Sequence, residues 1–138
     1  MEATMKSYSK LILLPDYYSR LEYLRLYGKV GELNDEVNRY LNQRIYSTSE
    51  WRHVRNMIIL RDYGCDLAIP GLQITGRPSV HHINPLSLDD VLSRSPKLFD
   101  PENLILTSHD THELIHFGFG QQKREDYIER KPGDTKLW

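Results

Sequence analysis

The chain changes texture at Gly64, and that change constrains the fold more than any other feature of its 138 residues. Before it, apolar residues recur at helical spacing. Between Asp16 and Tyr27 the stripe is Tyr17, Leu21, Leu24 and Tyr27, with Gly28 as a stop. Val30, Leu33, Val37, Leu41 and Ile45 make a second stripe, which leaves Glu32, Asp35, Glu36 and Arg39 off it. Ser47-Thr48-Ser49-Glu50 announces a third helix as a capping box, with Trp51, Val54 and Ile58 facing inward and Tyr63-Gly64 ending it. After Gly64, Pro70, Gly71, Gly76 and Pro78 punctuate short apolar pieces, Leu67-Ala68-Ile69, Leu72-Gln73-Ile74 and Val80 to Ile83. These read as short strands and turns. Ser87 to Asp90 caps a short helix that ends before Pro96, and Asp100 to Asn103 is a turn. Leu104-Ile105-Leu106 is a strand, and Thr107-Ser108-His109-Asp110 resembles a second capping box opening a helix through about Phe117.

The expected class is α+β in one domain, since 138 residues hardly suffice for two and no linker interrupts them. Residues 1–64 form a helical brace, 65–118 the core and 119–138 a polar tail in which Trp138 is a docking anchor. Cys65 is the single cysteine, which excludes an internal disulfide and any zinc site built from two or more cysteines. No apolar run approaches the roughly 18 residues that span a bilayer. The run Leu11 to Leu14 is too short for a secretory core, so a cytoplasmic location without membrane contact is expected. The net charge of −1 means that any contact with nucleic acid rests on local patches. Arg52, Arg55 and Arg61 lie along the third helix with no acid between Glu50 and Asp62, and Arg77 precedes the strand at residue 80. These four arginines are the expected phosphate contacts. Lys97, Lys123 and Arg124 are further cations near the chemistry.

Five of the six histidines fall between residues 81 and 116. His112 and His116 are four apart on a predicted helix, so they share a face within reach of one ion. His81 and His82 are neighbours on a predicted strand and point to opposite faces. One of them can face a metal while the other faces a different target, which suits a ligand beside a base. Three imidazoles leave coordination positions open, as a catalytic site requires. His109 shares the helix face of His112; it reads as a fourth ligand, a phosphate contact or simply a polar residue of the first turn. His53 has no motif partner and reads as surface. Cys65 reads as a small buried side chain, and Asp62 as a partner of Arg61 or a helix cap.

His81-His82, Asn103, His112 and His116 together resemble the HNH endonuclease motif with its ββα-metal finger, and their spacing is similar to that of colicin-type DNases. Trp51-Arg52, Arg61 through Cys65 and Asp100 through Leu104 are similar to small phage-encoded members of that family. The resemblance implies that His81, His112 and His116 hold one divalent ion (Zn, Mn, Ni, Co or Mg). It implies that His82 is the general base and that the Asn103 amide holds the segment bearing it. DNA is the implied substrate, cut to 5′-phosphate and 3′-hydroxyl ends, and a phage terminase or other packaging protein is an implied partner. Many HNH proteins carry two C-x-x-C pairs for a structural zinc. Here those places read Cys65 and Ala68, then Ser108 and Thr111, so no structural zinc is expected and the N-terminal helices brace the finger instead. The alternative is a non-cleaving, metal-stabilised nucleic-acid-binding module or a terminase-associated adaptor that docks through its Tyr-rich helices.

Overall fold

The computed structural model describes residues 5–126, with side chains described through residue 118. Six helices and two strands follow in the order α1 (Tyr8–Leu11), α2 (Tyr17–Leu24), α3 (Asp35–Arg44), α4 (Ser49–Arg61), β1 (Ser79–His82), α5 (Leu88–Leu92), β2 (Leu104–Thr107) and α6 (His109–Asp126). The fold is α+β. Tight 3₁₀ turns lie at Gly31–Leu33, Pro96–Leu98 and Pro101–Asn103. Trp138 and the end of the tail lie outside the described residues, and so do the side chains of Lys123 and Arg124. No helix among the described residues is long and apolar enough to cross a membrane.

β1 and β2 pair antiparallel, with His81 opposite Ile105 and His82 opposite Leu104. An isolated two-stranded ribbon is marginal in water and needs its faces covered. Here each face is covered by its own apolar cluster. Leu104 and Leu106 join Val37, Leu41, Ile45, Trp51, Ile58, Val91 and Leu98 on one side. Ile105 and Ile83 join Leu11, Leu21, Leu24, Leu26, Ala68 and Ile115 on the other. Strand alternation therefore assigns His82 to the α3–α4–α5 side and His81 to the α2–α6 side.

Several boundaries move by one cap. The hydroxyl that accepts the Trp51 amide belongs to Thr48, which starts α4 one residue after the expected Ser47; Glu50 pairs across space with Arg94 instead. Ser108 caps α6 by accepting from the Thr111 amide at 3.2 Å, because Thr107 is still paired in β2. α3 begins at Asp35 behind an Asn34 cap, so Val30 and Leu33 of the expected stripe lie in or before the 3₁₀ turn. α2 stops at Leu24, short of the expected Tyr27. The pieces at 67–69 and 72–74 form no strand; a single bridge joins Cys65 to Gln73. The expected box at Ser87 and Asp90 is present with both reciprocal bonds. α6 continues past Phe117 but is broken at Gly118, where φ is +73°.

Candidate metal centre

His112 and His116 lie on α6 with ring centroids 4.8 Å apart, and β1 presents the His81 ring to both at 5.1 and 5.7 Å. The fourth member is Glu32, an acid that lies off the apolar stripe of its segment and that sequence reasoning does not place in the site. One carboxylate oxygen, Glu32 Oε1, lies 2.8 Å from His81 Nδ1, 2.9 Å from His112 Nε2 and 3.7 Å from His116 Nε2. One ligand atom from each of the four residues falls within 4.8 Å of every other, so the group could hold a metal ion. His109 does not join it. Its side chain is exposed and stands 3.9 Å from Glu113.

The hydrogen bonds fix which nitrogens are available. A carbonyl only accepts, so His116 Nδ1–H donates to the Gly28 carbonyl at 3.1 Å and Nε2 keeps its lone pair. That Nε2 faces the cluster and has no hydrogen-bond partner, as do His81 Nε2 and Glu32 Oε2, all buried. Burial pushes the Glu32 carboxyl up, but electrostatic attraction to His81 and the hydrogen bonds from His112 and His81 outweigh it and hold it well below its usual range. Burial drives His81 the other way, toward the neutral form, against the pull of Glu32. The result is a buried anion among imidazoles with three orphaned polar atoms. Buried charges are ordinarily paired or coordinate metals. Nitrogen donors with one carboxylate suit zinc and its transition-metal neighbours better than magnesium.

Glu32 reaches this place because its turn is fastened to α6. Leu26 N donates to Ile115 O at 2.8 Å and Gly28 N to His116 O at 2.9 Å. Gly31 adopts φ +58°, and a Cβ there would come within 3.3 Å of Pro85 and the Leu86 amide, so the turn also lies directly on the loop after β1. Local sequence offers only the two preceding glycines, Gly28 and Gly31, as a turn signal. Contacts to His81 and His112, 49 and 80 residues away, have no local signature.

His82 points into the opposite core and is fully buried. Its Nε2–H donates to the Leu98 carbonyl at 3.2 Å, which leaves the lone pair on Nδ1, a buried atom without a partner. Burial pushes its pKa down, so the ring is neutral at pH 7. The Trp51 ring stacks on it at 5.6 Å. Asn103 ties the surrounding segments together. Its Oδ1 accepts from Asn84 N and Nδ2 at 2.8 and 2.7 Å, and its Nδ2 donates to Lys97 O at 2.9 Å. The backbone adds Ile83 N to Asn103 O at 2.8 Å. The chain just after His82 and the turn that supplies the Leu98 carbonyl are thus joined through one side chain.

A cleft of about 680 Å³ opens beside the cluster, with Glu32 and His112 in its wall. Arg52, Arg55 and Arg77 line it together with Tyr46 and Trp51. Among the described residues no acid pairs with any of these three arginines. Burial, with the Glu32 charge, pushes the Tyr46 phenol up, so it stays a protonated donor. Arg61 is placed elsewhere. Its guanidinium bonds Asp62, Pro101 O and Leu104 O and lies 3.5 Å over the Tyr8 ring. Lys97 is held by Asp90 and the Pro85 carbonyl. His109 lines a smaller hollow with Arg77 and Asp110. His53 is exposed, and Cys65 is only partly buried.

No protein-family model, no curated protein and no solved structure matches this chain.

Proposed function

We propose that this protein is a metal-dependent DNA endonuclease of the HNH type, with β1, β2 and α6 as its ββα-metal finger. The observation that carries the reading is the coincidence in one cleft wall of two members of the imidazole–carboxylate cluster, Glu32 and His112, with three arginines that no described acid neutralises. His81, His112 and His116 are the residues that would hold one divalent ion. Such an ion, when bound, supplies Lewis-acid stabilisation of the charge on a scissile phosphate. Arg52, Arg55 and Arg77 bring the backbone of the nucleic acid to it by charge and without reading sequence. His82 takes the proton of the attacking water on Nδ1, the nitrogen that the Leu98 carbonyl leaves bare. The new bond is water oxygen to phosphorus and the broken one is phosphorus to O3′, whose alkoxide takes a proton from bulk water while His82 later returns its own to solvent, which leaves 5′-phosphate and 3′-hydroxyl ends. His82 is fully buried, and the Trp51 ring stacked on it also lines the cleft, so access to Nδ1 requires the packing around that ring to open. Asn103 positions the base-bearing segment.

A second reading draws on two specific observations. Four ligands close a site in the manner of a structural zinc, and His82 has no exposed surface. Both favour a metal-stabilised module that binds nucleic acid, or docks on a packaging terminase, without cutting. Plasmid cleavage by the full chain, stripped and reloaded with Mg, Mn, Co, Ni or Zn, separates the two. The nuclease cuts with at least one ion and stops with a chelator. His82→Ala keeps the metal and cuts at least ~10²-fold more slowly, the usual contribution of a positioned base. No cleavage with any ion favours the binding module, and normal cleavage by His82→Ala removes the base assignment.

A further inference from the structure

Glu32 belongs at once to the metal-binding cluster and to the wall of the arginine-lined cleft. We propose that Glu32 is a displaceable fourth ligand, a carboxylate that occupies the cluster at rest in the position a substrate phosphate oxygen takes when nucleic acid enters. The proposal rests on the reading that the cluster holds a metal ion and that the cleft receives a phosphodiester.

Three features of the arrangement lead to it. The carboxylate is delivered by construction, on a turn whose backbone is bonded to the ligand helix at Ile115 and His116 and seated on Pro85 and Leu86. Its engagement is one-sided. Oε1 is hydrogen-bonded to His81 and His112 and lies 3.7 Å from His116 Nε2, and buried Oε2 has no hydrogen-bond partner among the described residues. An anchor serving only structure would be expected to use both oxygens, whereas one anionic oxygen aimed at the cluster is what a phosphodiester also offers. Finally, an anionic group in the wall of a cleft with three arginines that no described acid pairs opposes the ligand those arginines attract. Two anions cannot share one coordination position without a repulsion that the low-dielectric site magnifies. Entry of the phosphate and retention of the carboxylate are therefore alternatives. The same residue then has opposite effects on the two ligands, strengthening metal retention and weakening nucleic-acid binding.

That opposition is the test. Zinc affinity is measured by competition with a chromophoric chelator. Affinity for a short DNA duplex is measured by fluorescence anisotropy at saturating zinc, in the full chain carrying His82→Ala to slow cutting and with a non-hydrolysable phosphorothioate duplex so that the probe stays intact. Glu32→Ala should weaken zinc by at least about tenfold, the scale of losing a group that supports a metal site. It should tighten the duplex by at least about tenfold, far more than the removal of one screened surface charge. Asp35→Asn, the same charge change on an exposed neighbour, sets that baseline and should shift the duplex affinity by less than about twofold. Glu32→Gln, close to isosteric, should move both affinities in the same directions and serves if the alanine variant melts early. Unchanged zinc affinity overturns the ligand assignment. Weakened zinc with unchanged or weaker duplex binding makes Glu32 a permanent ligand and overturns displacement. If the wild type never cuts DNA but the opposed shifts appear, the nuclease reading fails and the exchange stands. If it cuts and the shifts are absent, the reverse holds.

Discussion

His112 and His116 share one face of α6, and each meets Glu32 from a different side. Substituting either by alanine removes a nitrogen donor that no other described side chain replaces, since His109 is turned to solvent. Each variant should lose metal on dialysis, with affinity falling by more than the roughly 10–100-fold that a supporting residue costs. Elemental analysis of the dialysed protein checks this, and full stoichiometry in either variant would remove that histidine from the ligand set. His53→Ala is the matched control, because His53 is exposed and outside the cluster. It should keep its metal.

At the scale of elements, α6 is joined to the loop after α4 through Asp66. The buried carboxylate accepts from the Ser108 amide and hydroxyl at 3.2 and 2.9 Å, from the Thr111 hydroxyl and from the Ala68 amide at 3.0 Å. A hydrogen-bonded carboxylate thus links these two segments. Asp62 does the same for β2 by accepting the Leu106 amide at 2.9 Å. Asp66→Ala leaves several buried donors without an acceptor, each costing about 1–3 kcal/mol. The melting temperature should fall by several degrees, while the zinc content per folded chain is unchanged. A melting curve equal to wild type would mean that the N-terminal helices alone hold α6.

For the whole molecule, the arginines divide by what the tertiary structure does with them. Arg52, Arg55 and Arg77 converge on the cleft, whereas Arg61 is bound to Asp62, Pro101 and Leu104. Replacing the first three together by alanine should weaken duplex binding and flatten its salt dependence, by up to about 0.9 in log–log slope for each phosphate that is no longer neutralised. Arg61→Ala should lower the melting temperature and leave that slope alone. Anisotropy titrations at several salt concentrations check both. An unchanged slope in the triple variant would move the nucleic-acid surface away from this cleft.

The local elements were largely legible in the sequence, because their signals are local. Apolar residues at helical spacing placed α3 and α4, paired side chains with their backbone placed the α5 cap, and alternation along a strand put His81 and His82 on opposite faces. The pairing of His112 with His116 followed from helical periodicity in the same way. The cap errors at Ser47 and Thr107 arose where adjacent hydroxyl residues compete and only the tertiary path decides which one ends the preceding segment. Glu32 was illegible for a stronger reason. Its place as a neighbour of three histidines depends on a turn bonded to α6 and seated on the loop after β1, which joins segments far apart in the chain. The same holds for Arg61, whose charge promised a phosphate contact until packing supplied partners for its guanidinium. The sequence by itself determined which residue types were available and which face of its own element each would occupy. Only the tertiary structure decided which faces meet, because long-range burial and hydrogen-bond satisfaction are set by packing and leave no period in the chain.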